Sequence, residues 1–248
     1  ITVRHHGGGS RRKYRIIDFD LSNMSNSGIS NVGIVAKSNF QSLMDHVGSG
    51  SAYDLSKRRS NLSILPPYDG KAFSSFVETI YNMHGYIEHC REEYVLISQG
   101  NVITNIDYTD VFDFHSKKKA DITLIYKNHA IPQGYDRPIT LDVDNDGKVN
   151  QIFVKPGVVD KGVFNHAYGS ILIKKDLLMS EIRNAISVNQ LDVRRLIQSS
   201  LGKYSIYAYE NKGYCAAISS INDYFEFNMD LMKKEVRDEL FNPQRPIY

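Results

Sequence analysis

The sequence predicts an α/β protein with a mostly parallel central sheet flanked by helices, and three observations carry that expectation. From Tyr14 onward, helix-favouring and strand-favouring segments alternate every ten to twenty residues or so, the rhythm of parallel α/β units. The runs "YVLIS" (94–98) and "DITLIYK" (121–127) are apolar on successive residues, so neither face of those strands is polar. A chain of 248 residues that is 42% hydrophobic can bury a sizeable core, as one large domain or two small ones.

Each element follows from local pattern. "NVGIVAK" (31–37) is a short apolar strand, and the amphipathic "NFQSLMDHVG" after it reads as a helix stopped by Gly48. "KAFSSFVETIYNMHGYIEHC" places Phe76, Ile80, Tyr81, His84 and Ile87 at helical spacing. "YVLIS" is then expected in the middle of the sheet. "DYTDVFDFHSKKK" reads as a helix whose terminal lysines suit the C-terminal dipole. "ITLDVDNDGKVNQIFVK" (139–155) predicts a hairpin turning at Asn145-Asp146-Gly147. "YGSILIKK" (168–175) is a buried strand, and "LLMSEIRNAI" and "LDVRRLIQSSL" are helical. "KYSIYAYE" and "GYCAAISS" close the strands, and "INDYFEFNMDLMKKEVRDEL" reads as one long amphipathic helix.

Composition narrows the function classes. A net charge of +2 with interspersed signs gives no field that favours nucleic acid or a membrane surface. Cys90 and Cys215 lie far apart with no CxxC pair, which argues against a disulfide framework or zinc site and fits a reducing, cytoplasmic setting. No apolar run is long enough to cross a bilayer. Residues 1–12, "ITVRHHGGGSRR", are expected to be disordered, a scar or an incomplete start rather than part of the folded domain.

"DVDNDG" (142–147) imitates the opening of a calcium loop, whose oxygens and glycine turn suit a hard cation. Its twelfth position is Phe153 rather than a bidentate glutamate, and strands flank it, so a hairpin turn is the better reading. The histidines His46, His84, His89, His115, His129 and His166 are scattered, with no nucleophile motif beside any of them.

The runs "RIIDF", "LSNM", "NSGI" and "SLMDHVGSG" within residues 13–50, with "LPPYDGKA" (65–72), "QGNVITNIDY" (99–108), "FVKP" (153–156), "GYCAAISS" (213–220) and "NMDLM" (228–232), resemble the glucose-1-phosphate adenylyltransferase (ADP-glucose pyrophosphorylase) family. The resemblance implies a Rossmann-like nucleotidyltransferase domain over 13–240. It also implies that 241–248 begins the connection to a left-handed β-helix domain outside this chain. The implied reaction is attack of glucose 1-phosphate on the α-phosphorus of ATP, assisted by Mg²⁺ in the family's active members.

At the two positions where that family carries metal-binding aspartates, this chain departs. The "GD" pair corresponds to Gly100-Asn101, and the aspartate of "DVGT" corresponds to Ala217. An amide offers one carbonyl oxygen and a methyl group offers none; if the metal is worth several kcal/mol, its loss costs about a thousandfold in rate or more. The family's glycine-rich phosphate loop is not recognisable, and its "GTADA"-like turn reads "GKAFS", with Lys71 and Phe73 in place of small polar groups.

Lys155, in "VKP" where the family has "EKP", is the candidate retained phosphate contact, or else an exposed lysine at a strand end. Tyr68 and Gly169 match positions near the nucleotide and sugar pockets, with a core tyrosine and a packing glycine as the plain alternatives. No catalytic residue, metal or cofactor is expected in this chain. The pattern looks most like the GlgD-type companion subunit, a catalytically deficient regulatory or scaffolding protein of glycogen synthesis. Its expected partners are a catalytic subunit or further copies of itself, with a sugar phosphate or nucleotide as candidate ligand. Two alternatives remain: an active enzyme whose metal is held by Asp107, Asp223 or Glu226, and a sensor that binds ligand without turnover. Asp107 reads more naturally as a helix cap, and Asp223 and Glu226 as a solvated face.

Overall fold

The computed structural model describes residues 15–36, 40–56, 61–65, 75–130, 138–154 and 162–248. The element that organises them is the twelve-residue strand β8 (Val163–Lys174). Along one side it pairs antiparallel with β5 (Ile122–Ala130), across a register shift between Leu124 and Tyr126. On its other side β8 has two neighbours in succession, β6 (Ile139–Val143) at Ala167 and His166, and β3 (Tyr94–Ile97) at 171–174. β7 (Val149–Val154) extends β6 as a hairpin, and β9 (Ile206–Glu210) runs parallel to the far side of β5. Two small sheets stand apart: β1 (Asn31–Val35) paired parallel with β2 (Asn61–Leu65), and β4 (Val102–Thr104) paired antiparallel with β10 (Cys215–Ala217).

Helices cover both faces of the main sheet, because side chains of successive strand residues point to opposite sides. Ile122, Leu124, Ile171 and Ile173 face a core built from α3 (Phe76–Asn82), α4 (His84–His89), α6 (Lys175–Ser187) and α7 (Val193–Ser199), through Val77, Ile87, Ile182 and Ile197. Ile125 and Leu172 face the other way, onto Tyr108 and Val111 of α5 (Tyr108–Lys118). α1 (Ile16–Asn26) opens on Asp18, whose carboxylate accepts the Arg15 amide at 2.6 Å, and buries Leu21 against β1. α2 (Phe40–Val47) ends at Gly48, whose φ of +57° suits glycine.

The α/β class and the flanking helices hold, but the central sheet is mixed and mainly antiparallel. The alternation of helix and strand anticipated a mostly parallel sheet; parallel pairs occur at β1–β2 and β5–β9. β3 is also not mid-sheet: among the described residues it pairs with β8 alone. Its apolar faces reflect the layers above and below it rather than the number of strands beside it.

Two predicted helices are each split. At Met83 (φ −90°, ψ 6°) the chain turns between α3 and α4 while the side chain stays in the core, flanked by the weak helix formers Asn82 and Gly85. The last helix divides into α8 (Ile221–Asp230) and α9 (Lys234–Leu240), with Lys233 extended between them. The "DVDNDG" segment is a hairpin turn: Asp144 Oδ1 accepts the amides of Asp146 and Lys148, both at 2.9 Å, and Gly147 sits at φ +84°.

Residues 241–248 pack back on the domain. Ile247 is buried, the Tyr248 amide donates to Ser22 Oγ at 2.9 Å, and Asn26 Nδ2 donates to the Pro246 carbonyl at 2.9 Å. No helix among the described residues is long and apolar enough to cross a membrane.

Candidate functional site

β4 and β10 bring Asn101 and Ala217 to one corner. The two strands run antiparallel with Val102 opposite Ala217, so Asn101, one residue before Val102, lies opposite Ile218, one residue after Ala217. Two hydrogen bonds close the corner: the Ile218 amide donates to the Asn101 carbonyl at 2.8 Å, and Asn101 Nδ2 donates to the Ile218 carbonyl at 3.1 Å. The side-chain amide is thus a working donor. A carboxylate in its place would set negative oxygens against the Ile218 carbonyl oxygen.

Gly169 joins this corner through Gln99. It sits at φ +82°, and a methyl group added there would displace the Gln99 side chain. The backbone angle calls for glycine. Gly100 is less constrained, since the same addition would make ordinary contact with Ile17 Cδ1 at 3.4 Å. Tyr68, Lys71, Phe73 and Lys155 lie outside the described residues.

Two of the three carboxylates considered as replacement ligands, Asp107 and Asp223, are engaged at helix starts. Asp107 caps α5, accepting the Thr109 amide at 2.9 Å, and pairs with Arg245 Nη1 at 2.7 Å. Its burial is unfavourable to charge, yet the bonds from Thr109, the Arg245 guanidinium and Ser27 hold it below the usual carboxylate range. Asp223 closes a capping box with Ser220, and its Oδ2 accepts the amides of Ser219 and Ser220 at 2.9 and 2.8 Å. Glu226 is exposed on α8.

Beside the corner lies a cavity of about 1220 Å³, lined by α1, β1, α3, α4, β3 and the turn 98–101. Asp20 contributes to its wall yet is itself only 3% exposed. Ser98 Oγ donates to Asp20 Oδ1 at 3.0 Å and lies 3.5 Å from Ser170 Oγ, and the Tyr108 hydroxyl also bonds the carboxyl. Burial raises the Asp20 pKa to about 7, against the opposing pull of the two hydroxyls.

The nucleotidyl transferase family model matches residues 10–233. The chain belongs to that family. It is 32% identical over 246 residues to a glucose-1-phosphate adenylyltransferase of Clostridium acetobutylicum, covering 95% of this chain and 63% of the relative. It is likewise 32% identical over 250 residues to that of Bacillus subtilis (strain 168), again covering 95% and 63%. The chain thus spans somewhat less than two thirds of these relatives. A crystal structure of a putative glucose-1-phosphate thymidylyltransferase from Bacillus anthracis, in complex with a sucrose, superposes with a TM-score of 0.70 at 13% identity. It covers 93% of this chain and 86% of that one, and it supports the fold.

The magnesium associated with nucleotidyl transferases does not fit the residues at this corner. Asn101 has its amide committed to Ile218, Ala217 has no donor atom, and Asp107 and Asp223 each accept hydrogen bonds at the start of their own helices. Among the described residues no three His, Cys, Asp or Glu side chains group as a metal site.

Sequence reading missed Asp20 altogether; its only local signal is an acidic residue two positions after Asp18 in an otherwise apolar stretch. It also missed the pairing of His46 Nε2 and the Tyr53 hydroxyl on Asp18 Oδ1, each at 2.6 Å. A further cluster joins His129 Nε2 to His166 Nδ1 at 3.2 Å and to the Tyr168 hydroxyl at 3.1 Å. Burial, with His129 adjacent, takes His166 down to about 3, and burial with Lys127 nearby lowers His129, so both rings are neutral packing groups. Burial likewise pushes the Cys215 thiol to about 12, which makes it inert as a nucleophile.

Proposed function

We propose that this nucleotidyl transferase is a subunit of ADP-glucose pyrophosphorylase that has given up the metal-dependent step. It serves glycogen synthesis in the cytoplasm by modulating or scaffolding a catalytic partner. The observation that carries this reading is the Asn101–Ile218 clamp. Where the resemblance places two carboxylates bridged by a cation, a neutral amide donates to a backbone carbonyl and a methyl group stands alongside. The two hydrogen bonds that close the corner need no ion. Transfer of an adenylyl group requires charge neutralisation around the phosphates, and Asn101 and Ala217 bring neither a carboxylate for a cation nor a positive charge to it.

The competing reading, an active enzyme making ADP-glucose from ATP and glucose 1-phosphate, requires a replacement ligand. Asp107 and Asp223 would each have to abandon helix caps worth about 1 kcal/mol apiece. A pyrophosphorylase assay decides between the two. The purified protein alone is expected to form no detectable ADP-glucose, and to change the rate or effector response of a catalytic glucose-1-phosphate adenylyltransferase when mixed with it. Metal-dependent synthesis by the protein alone would overturn the proposal.

A further inference from the structure

A second concavity, of about 680 Å³, opens at the end of the β4–β10 ladder away from the candidate site. Asn101 and Ile218 close one end of that ladder. At the other end Thr104 pairs with Cys215, and Asn105 and Gly213, just beyond them, line the concavity. Its other walls are the hairpin turn 143–147, Phe114 and Lys118 of α5, and the end of β9 with the turn that follows. Contacts within the fold hold these walls in place. The Ala208 amide donates to the Gly147 carbonyl at 2.7 Å, and a methyl group on Gly147 would stand 3.0 Å from Phe114 Cζ, so turn, helix and strand meet closely. Asn211 is buried; its Nδ2 donates to Thr104 Oγ1 at 2.8 Å and its Oδ1 accepts the Gly213 amide at 3.1 Å, which ties the 211–213 turn to the ladder. The concavity is therefore built without a ligand, and its volume lies within the usual range for a small-molecule site.

Its lining offers polar groups that the fold has not used. Tyr126 and Tyr209 are half-buried there, and neither hydroxyl has a hydrogen-bond partner among the described residues. Burial, with Glu210 near Tyr126 and with Asp110 and Asp107 near Tyr209, raises both phenols, so both stand as neutral hydroxyls. Asn105 spends its Nδ2 on the carbonyls of Leu240 and Arg245, both at 2.9 Å, and its Oδ1 is buried without a partner among the described residues. Asp144 commits Oδ1 to the amides of its own turn and keeps Oδ2. Glu210 is exposed and has no hydrogen bond or ion pair among the described residues.

These groups select among ligands. The carboxylates of Asp107, Asp144, Asp146 and Glu210 face the ammonium groups of Lys118 and Lys212, and even with Arg245 paired to Asp107 the balance is negative, which opposes a phosphorylated ligand. A wholly apolar ligand would leave phenols and carboxylates unsatisfied. A hydroxyl both donates and accepts, so one ligand carrying several can meet carboxylates with its protons and phenols, amides or ammonium groups with its oxygens. The rings of Phe114 and Tyr209, 5.6 Å apart and edge to face, supply apolar surface for the C–H groups between such hydroxyls. We infer that this concavity binds a short neutral saccharide, with Glu210 and Asp144 accepting from its hydroxyls and Tyr126 and Tyr209 donating to them. The site is separate from the Asn101–Ala217 corner, and it stands whether or not that corner turns over a substrate.

Saturation-transfer NMR on the purified protein tests the inference, with maltotriose, cellotriose and mannotriose as neutral probes, inorganic pyrophosphate as an anion and spermidine as a cation. At least one neutral probe is expected to bind at millimolar concentration. The variant Tyr126→Phe/Tyr209→Phe/Glu210→Gln keeps the side-chain sizes and removes two donors and one charge, and it is expected to bind that probe about tenfold more weakly or worse. Amide hydrogen exchange of the wild type locates the probe independently of whether the variant folds: saturation should slow exchange at 143–147 and 208–213 and leave 99–101 unchanged. Failure of all three neutral probes, or unaltered binding by a folded triple variant, would overturn the inference. Slower exchange at 99–101 instead would place the saccharide in the candidate site and overturn it as well. Protection of 143–147 and 208–213 by pyrophosphate or spermidine, with none from the neutral probes, would assign the concavity to a charged ligand and overturn the saccharide assignment.

Discussion

Two neighbouring regions handle charge in opposite ways. The corner between β4 and β10, where the family resemblance calls for two carboxylates, holds Asn101 and Ala217 and is closed by neutral hydrogen bonds. The cavity wall beside it, where no motif calls for anything acidic, holds Asp20, buried and capped by Ser98 and Tyr108. The first region is closed without an ionisable side chain and the second buries one, so mutation of each region should move a different observable.

The largest effect is expected at Asp20. Its folded pKa of about 7 lies above the unfolded value near 4, so its contribution to stability is fully present below about pH 4 and is lost as pH rises through 7. The shift corresponds to on the order of 4 kcal/mol. Asp107, Asp223, Asp230 and Glu92, all held below their usual range, give the opposite slope. The quantity to measure is therefore the difference between the wild type and Asp20→Asn in urea titrations from pH 4 to pH 8. The variant should be the less stable of the two at pH 4 and gain on the wild type by several kcal/mol toward pH 8. A difference independent of pH would mean that Asp20 is charged throughout.

Gly169→Ala should cost about 1–3 kcal/mol, because it combines a left-handed backbone angle with the approach to Gln99. The double variant Gly169→Ala/Gln99→Ala separates the two causes. Removing the Gln99 side chain relieves the contact and leaves the backbone strain, so only part of the thermal stability should return. Full recovery would assign the whole cost to the contact.

How much of this was legible in the sequence depends on the range of the interaction. The Asp107 cap, the Gly48 stop and the Asp144–Gly147 turn are set by residues within a few positions of one another, and each stands where local chemistry places it. The corner was legible through resemblance, since Asn101 and Ala217 are far apart in sequence and only the matched motifs put them together. The strand order was not legible: β8 pairs with β3, β5 and β6 through contacts whose register no local pattern encodes. Asp20 was hidden for the same reason, because its burial is made by Ser98 and Tyr108 from distant segments.

The smallest effect is expected at the corner, and it is also the most diagnostic. Asn101→Asp removes a donor and sets a carboxylate against the Ile218 carbonyl, which should cost about 1–2 kcal/mol at this half-buried position. In a corner that still held a cation, the same change would add a ligand and stabilise the protein when Mg²⁺ is supplied. The single variant should therefore melt lower than the wild type with or without Mg²⁺, while Asn101→Asp/Ala217→Asp should gain a Mg²⁺-dependent rise in Tm that neither the wild type nor the single variant has. The order of these three melting curves separates a corner rebuilt around an amide from one that merely tolerates it. Stabilisation of the single variant by Mg²⁺ would show that a second ligand survives there, and would return the protein to the active members of its family.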